Sequence, residues 1–330
     1  GMSSSYYIET LSKSVTAGDR VALAKAITLV ESTKDEHIDL ASKLVSACLS
    51  QGVKSRRIGI TGVPGVGKST FIEAIGTRFT ENGHKVAVLA VDPSSGVSRG
   101  SILGDKTRMD KLAANPNAFI RPTPSSGSLG GVARKTRESI VVCEAAGFDI
   151  ILIETVGVGQ SEITVHSMVD MFMLLVLATA GDELQGIKRG VMEMADVVVI
   201  NKDDGENASY TKMAKATYHQ ALHLFPAKES GWTVQTLSCS ALNETGLDEI
   251  LAATDSYFNH IQLNGFLENQ RANQNEFWLK QAISEELNHR FHSDKSTKKR
   301  LNDLSEKVKR GQISPFAAAR KLLKNWGYKS

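Results

Sequence analysis

The chain has 330 residues, 41% of them apolar and 23% charged, with a formal net charge of +3. That balance excludes a disordered or fibrous chain, and the length accommodates one large α/β domain with added helices or two domains. The longest apolar run, Met171 to Ala178, is far too short to span a bilayer, so no membrane association is expected.

In chain order, residues 6 to 51 read as helical. Leu23, Ala26, Ile27 and Val30 recur at helical spacing, as do Leu40, Leu44 and Ala47. Gly52 ends this stretch, which gives an expected N-terminal helical extension over 1–52. Gly1 ahead of Met2 reads as the remnant of a tag.

From 57 to about 262, strands and helices alternate. This is the signature of a mostly parallel sheet with helices on both faces, and it sets a domain over 53–264. The expected strands are Arg57–Thr61, Val86–Val91, Asp149–Glu154, Phe172–Leu177, Val197–Ile200 and Val234–Leu237. Several are continuous apolar runs, as strands buried on both sides require.

The first strand leads into Gly62-Val63-Pro64-Gly65-Val66-Gly67-Lys68-Ser69, a complete G-x-x-x-x-G-K-[ST] loop, and a helix is expected from about Ser69 to Asn82. Glycines let backbone N–H groups turn inward around phosphate oxygens. Lys68 adds a positive charge at the β- and γ-phosphates, and the Ser69 hydroxyl is placed for Mg²⁺. The helix N-terminus contributes partial positive charge. Residues Gly62 to Ser69, with Thr70, are the expected phosphate-binding set.

The second strand ends in Asp92, which can reach the Mg²⁺ shell or the attacking water. The Gly-rich stretch Gly100–Arg108 reads as a loop able to order around the γ-phosphate. Within it, Asp105 is a candidate Mg²⁺ or water contact. The strand over 149–154 ends in Glu154, an acidic residue at an apolar strand tip and a candidate second Mg²⁺ anchor. Gly157 is placed for close approach of the backbone to the γ-phosphate. Gln160 is a candidate for orienting water or for a switch role, at a spacing that differs from the Ras-like pattern.

Asn201-Lys202-Asp203-Asp204 follows the apolar run Val197–Ile200. This is N-K-x-D, the guanine-reading pattern. Asp204 can accept from guanine N1–H and the exocyclic amine, a donor pair that adenine lacks. Asn201 and Lys202 would brace the loop and cover the base. After the last strand, Ser240-Ala241-Leu242 resembles the loop that closes over guanine through backbone N–H groups.

Beyond Gly265 the strands stop. One long helix is expected over 267–292 and a second over about 297–310, with Ser314-Pro315 as cap and first residue of a third. From Ser293 to Ser330 there are eleven Lys/Arg and three Asp/Glu, so this tail carries +8 and the remainder −5. With no aromatic platform beside it, the tail reads as a solvated or contact face and not as a nucleic-acid surface. An apolar stripe too thin to bury itself must pack on the main domain or on another subunit, and a dimer is expected.

These residues together resemble the MeaB/ArgK family of P-loop GTPases, the methylmalonyl-CoA mutase-associated proteins that include the human methylmalonic aciduria type A protein. The resemblance covers nearly the whole chain. It rests most on stretches that are not generic to GTPases: Val91–Ser95, Gly100–Met109, Phe119–Pro122, Gly130–Glu138, Glu154–Glu162 and Ala180–Lys188. It implies a Mg²⁺-dependent GTPase that acts as chaperone to an adenosylcobalamin-dependent acyl-CoA mutase. Such a protein gates cofactor loading and protects or rescues the mutase. Lys68, Ser69, Asp92, Asp105 and Glu154 fall on the family's Mg²⁺ and catalytic positions. The run Asp182 to Lys188, with Glu183 and Gln185, falls on a partner-responsive switch. Residues 265–330 fall on the family's dimerisation arm. The chain departs from the family's D-P-S-S-x-R pattern, because the arginine stands two places on, at Arg99. Thr179 stands where a Pro-Gly-Ala-Gly-Asp run is common.

No D-x-H-x-x-G cobalamin signature occurs, so no cobalamin site of the chain's own is expected. Cytoplasm is the expected compartment, or an organelle matrix after loss of a transit peptide. Two other readings stand beside the chaperone. One is a kinase using GTP or ATP, linked to basic amino-acid transport. The other is a nickel-inserting metallochaperone, which needs Cys/His ligands near the switches. Cys48, Cys143 and Cys239 are far apart, Cys143 has no Cys or His at ligand spacing, and His166 stands alone.

Overall fold

The computed structural model describes residues 2–49, 54–63, 65–91, 109–122, 129–155, 161–178, 186–202, 208–324 and 326–327. The chain divides into two compact units, residues 1–274 and 275–330.

In the first unit, three helices come first: α1 (Met2–Thr16), α2 (Arg20–Glu31) and α3 (Asp35–Leu49). Asp19 caps α2 by accepting from the N–H groups of Val21 and Ala22 at 2.9 and 3.2 Å, satisfying donors that a helix start leaves orphaned. The expected stripe of Leu23, Ala26, Ile27 and Val30 is buried.

Among the described residues the sheet has seven strands: β1 (Arg56–Gly62), β2 (Val86–Val91), β3 (Ala118–Arg121), β4 (Ile150–Thr155), β5 (Met171–Leu177), β6 (Val197–Asn201) and β7 (Gln235–Cys239). Their order is β3-β2-β4-β1-β5-β6-β7 and every pairing is parallel. All carboxyl ends therefore lie along one edge. The connecting helices are α4 (Lys68–Glu81), α5 (Asp110–Ala114), α6 (Leu129–Ala145), α7 (Ser161–His166), α8 (Arg189–Met194), α9 (Ala208–His223) and α10 (Leu247–Leu263). Both α2 and α3 pack against α6, and Arg121 Nε donates to Glu31 at 2.8 Å, tying α2 to β3.

The edge strand β3 is the element that the sequence reading misses. It has four residues, two of them only half-buried, and follows an Asn-Pro-Asn turn. It therefore lacks the continuous apolar run that marks the inner strands. The last strand lies one residue later than expected at its start and two at its end. Between β1, β5 and α4, a core of Ile58, Ile60, Phe71, Ile75, Phe79 and Leu175 fixes where the phosphate loop leaves the sheet.

A long helix, α11 (Phe266–Ser293), leads into the second unit, which holds α12 (Lys295–Lys309) and α13 (Pro315–Lys324). Asp294 caps α12, and the Ser314 hydroxyl accepts from Ala317 N–H at 3.1 Å to start α13 behind Pro315. Leu304, Ala318 and Leu322 form a small core of this unit, with Phe291 and Leu301 packed against it.

Candidate nucleotide site at the carboxyl edge of the sheet

The loop after β1 is shaped by close approach. At Gly62 a Cβ would lie 2.6 Å from Val66 Cγ1, so any side chain there would force the loop open. Gly67 sits at φ +78°, a left-handed conformation that other residues adopt only with strain, and a Cβ there would lie 3.3 Å from Asn201 Nδ2. From this turn α4 begins at Lys68, one residue before the expected start, with Ser69 buried in its first turn. Lys68 Nζ donates to the Thr155 carbonyl at the tip of β4. Parallel pairing sets Ile60 beside Glu154, which brings Thr61 and Thr155 together, and the Thr155 hydroxyl donates to that of Thr61 at 2.7 Å. Glu154 is buried at this same edge.

Asn201 ends β6 and joins three segments. Its Nδ2 donates to Val66 O in the phosphate loop at 2.8 Å, while its Oδ1 accepts from Ala241 N–H at 3.1 Å. Lys202 N–H donates to Cys239 O at 3.0 Å. The loop from Ser240 to Thr245 is closed by paired backbone bonds between those two residues, 3.0 and 3.1 Å long. Ser240 and Ala241 are buried and Leu242 is exposed, so the loop turns its backbone inward and its leucine out. Beside Asn201, burial pushes the Cys239 thiol up to about 12, which leaves it a neutral space-filler.

The structure thus brings together Gly62, Val63, Gly65, Val66, Gly67, Lys68, Ser69, Thr70, Glu154, Asn201, Lys202, Ser240, Ala241 and Leu242. Pro64, Asp92, Asp105, Gly157, Gln160, Asp182, Glu183, Gln185 and Asp204 lie outside the described residues. Lys188 is placed as the residue before α8, its carbonyl accepting from Val191 N–H at 3.0 Å. The Thr61–Thr155 pair and the Lys68 bond to Thr155 are additions to the sequence reading. Thr155 follows Glu154 at a strand tip, but only the β1–β4 register shows that it meets Thr61. The cysteines are all buried and unpaired. Burial raises the Cys143 thiol and lowers the His166 imidazole.

A phosphate loop leaving the central strand of a parallel sheet, with an Asn-Lys strand end braced against it, defines a P-loop nucleoside triphosphatase. The family described as Methylmalonyl Co-A mutase-associated GTPase MeaB matches residues 23–296. GTPase ArgK of Escherichia coli is 47% identical over 306 residues, 92% of each chain. The mouse protein named Methylmalonic aciduria type A homolog, mitochondrial, is 44% identical over 328 residues, covering 96% of this chain and 79% of its own. A crystal structure named LAO/AO transport system kinase superposes with a TM-score of 0.74 at 38% identity, covering 96% of both chains. This chain belongs to the MeaB family and is a GTPase. No helix among the described residues is long and apolar enough to cross a membrane.

Proposed function

We propose that this GTPase is a chaperone of an adenosylcobalamin-dependent acyl-CoA mutase, using GTP to gate cofactor loading and to protect or reactivate its client. The observation that carries the reading is the family match over 23–296, to a family whose description names association with methylmalonyl-CoA mutase. The likeness to the mouse homologue along 96% of this chain supports it.

The reaction is attack of water on the γ-phosphate, releasing GDP and phosphate. Its catalysis consists of positioning and charge stabilisation. In this reading Lys68 holds the β- and γ-phosphates, while Asp204, with the Asn201–Ala241 brace, selects guanine. The oxygen donors Ser69 and Glu154, both buried at the same edge, suit a hard divalent cation, and Asp92 and Asp105 complete the set. Mg²⁺ bound there would supply positive charge against the phosphate oxygens. Gln160 and the run Asp182 to Lys188 respond to the client. Turnover of the chaperone alone is slow, because no arginine finger is evident in the sequence, and the client speeds it by ordering these loops.

The domains are read as 1–52, 53–264 and 265–330, the last as a homodimerisation arm. Leu279, Ile283 and Leu287 support this: they recur every four residues along α11 and are 60%, 50% and 49% exposed. Such a stripe on one helix face suits a second copy of the chain.

The test is GTP hydrolysis with and without a cobalamin-dependent acyl-CoA mutase from the same organism, with ATP as control. Expected is hydrolysis of GTP and not ATP, raised severalfold by the mutase and largely lost in Lys68→Ala. Slow GTP hydrolysis that is indifferent to every mutase tried sinks the client class. A kinase is the second reading, favoured by the name of the superposable LAO/AO transport system kinase. Transfer of labelled phosphate from GTP to a protein or amino-acid acceptor would establish it.

A further inference from the structure

The amino edge of the sheet carries a second concavity. A cavity of about 780 Å³ is lined by Asp196 and Val234, which directly precede β6 and β7, and by Tyr257, whose hydroxyl donates to the Asp170 carbonyl just before β5 at 2.5 Å. Five-residue strands set it roughly 16 Å from the phosphate edge.

Several polar groups in its wall are engaged within the wall itself. Asp196 accepts from Phe172 N–H at 2.9 Å and lies 3.5 Å from Lys228, whose Nζ donates to Glu193 O at 3.0 Å. Trp232 Nε1 donates to Asp196 O at 3.0 Å. The histidines of the last two turns of α9 differ. His219 and His223, both exposed at the cavity's rim, stand one helical turn apart on the same face, and their Nε2 atoms are 2.9 Å from each other. Their rings are nearly perpendicular, at 83°.

Two imidazole nitrogens this close need something electropositive between them, either a shared proton or a cation taking both lone pairs. In the metal-free chain the 2.9 Å contact is an N–H···N hydrogen bond, and the same spacing suits one ion taking both lone pairs. With metal–nitrogen bonds of about 2.0–2.1 Å, nitrogens 2.9 Å apart subtend about 90° at the ion. That is the angle of adjacent positions in a tetragonal complex, which Cu²⁺ and Ni²⁺ prefer, and it is narrower than the tetrahedral angle of Zn²⁺.

We propose that His219 and His223 form a bidentate site for a tetragonal divalent transition-metal ion, Cu²⁺ or Ni²⁺, at the rim of this cavity. Among the described residues no set of three or more His, Cys, Asp or Glu side chains is grouped to hold a metal. The two imidazoles are therefore the protein's share, and water fills the remaining positions. Helical i, i+4 spacing is what lets two imidazoles of one helix meet at a single ion. The site is separate from the Mg²⁺ positions in both ligand type and sheet edge.

The test uses full-length protein free of any histidine tag, stripped of metal with a chelator and kept nucleotide-free in excess Mg²⁺. Calorimetric titration with Cu²⁺ and with Ni²⁺ is expected to show one saturable site per chain. The electron paramagnetic resonance of bound Cu²⁺ is expected to carry hyperfine coupling from two equatorial imidazole nitrogens. His219→Ala and His223→Ala each reduce the chelate to one ligand, weakening binding by at least about tenfold. Both side chains are exposed, so GTP hydrolysis stays unchanged in the variants and reports that they fold. Failure of wild type to bind at one-to-one stoichiometry overturns the proposal, as does a Cu²⁺ spectrum that the double variant leaves unaltered.

Discussion

The two edges of this sheet are built from different materials. The carboxyl edge is made of glycine turns and strand tips, and its crosslinks are single side chains such as Asn201. The amino edge is held by ionic side chains from distant parts of the sequence. Arg57 makes a two-pronged pair with Glu144, at 3.0 and 2.8 Å, and Ser55 also donates to Glu144. Arg271 makes a second pair with Asp170, at 2.8 and 2.7 Å, and donates to Ser55 O at 2.6 Å. Nearby, burial together with the charge of Arg57 pulls the Arg137 guanidinium down to about 10. The difference assigns stability to one edge and chemistry to the other, and substitutions should separate the two.

The largest expected effect lies at the amino edge. Arg57 and Glu144 are 7% and 5% exposed, so Arg57→Met leaves a buried carboxylate without its guanidinium. The expected cost is about 3–5 kcal/mol, a large part of the ~5–15 kcal/mol that holds a typical fold. Urea unfolding should show it as a lowered midpoint, and adding Glu144→Leu should recover most of the loss. A midpoint shifted by less than about 1 kcal/mol would remove the stabilising role from this edge.

At the other edge the order reverses. Lys68→Ala should lower GTP turnover on the order of 10²–10³-fold, the scale for losing one preorganised charge-stabilising donor. Its unfolding midpoint should stay near that of wild type, because the side chain is only half-buried. Asn201→Ala should move both quantities. It strands the buried Val66 carbonyl and Ala241 N–H, costing about 2–4 kcal/mol when both lose their partner. Loss of GTP affinity without loss of stability would show that Asn201 acts on the ligand alone.

The same division explains what could be read from the sequence. Loops that wrap phosphate need glycine at fixed spacing, a lysine and a hydroxyl, so the span from Gly62 to Ser69 announces itself within eight letters. Asn201 and Lys202 announce themselves by following an apolar strand. The inner strands were legible because burial on both faces forces continuous apolar runs. The two edge strands escape that demand: the four-residue β3 was missed, and β7 was read one residue early at its start and two at its end. The amino-edge network has no local pattern at all. Arg57 and Glu144 are 87 residues apart, and Arg271 reaches Ser55 across 216. Nothing but the folded register pairs them. His219 and His223 were not singled out in the sequence, because an i, i+4 spacing alone does not show that their Nε2 atoms meet; the structure does.

The smallest effect is a slope and not a loss. Burial pushes the Asp196 carboxyl up to about 6, while Lys228 and the Phe172 N–H pull against that rise. The folded chain therefore holds this proton more tightly than the unfolded chain, whose carboxyl titrates near ~4. Between those two values the native state binds the extra proton, so stability falls as pH rises. The contribution is whole below about pH 4 and gone above about pH 6, and it is on the order of 3 kcal/mol. Other carboxylates titrate over the same range, so the quantity to follow is wild type minus Asp196→Asn. The asparagine oxygen can still accept from Phe172 N–H, and the variant has no proton to lose. Urea midpoints taken from pH 4 to 7 should show wild type losing stability relative to Asp196→Asn through the window and running parallel to it above. A difference that stays flat across the whole range would mean that Asp196 reaches water, and that the amino edge is less dry at β6 than its pairings at β1 and β5.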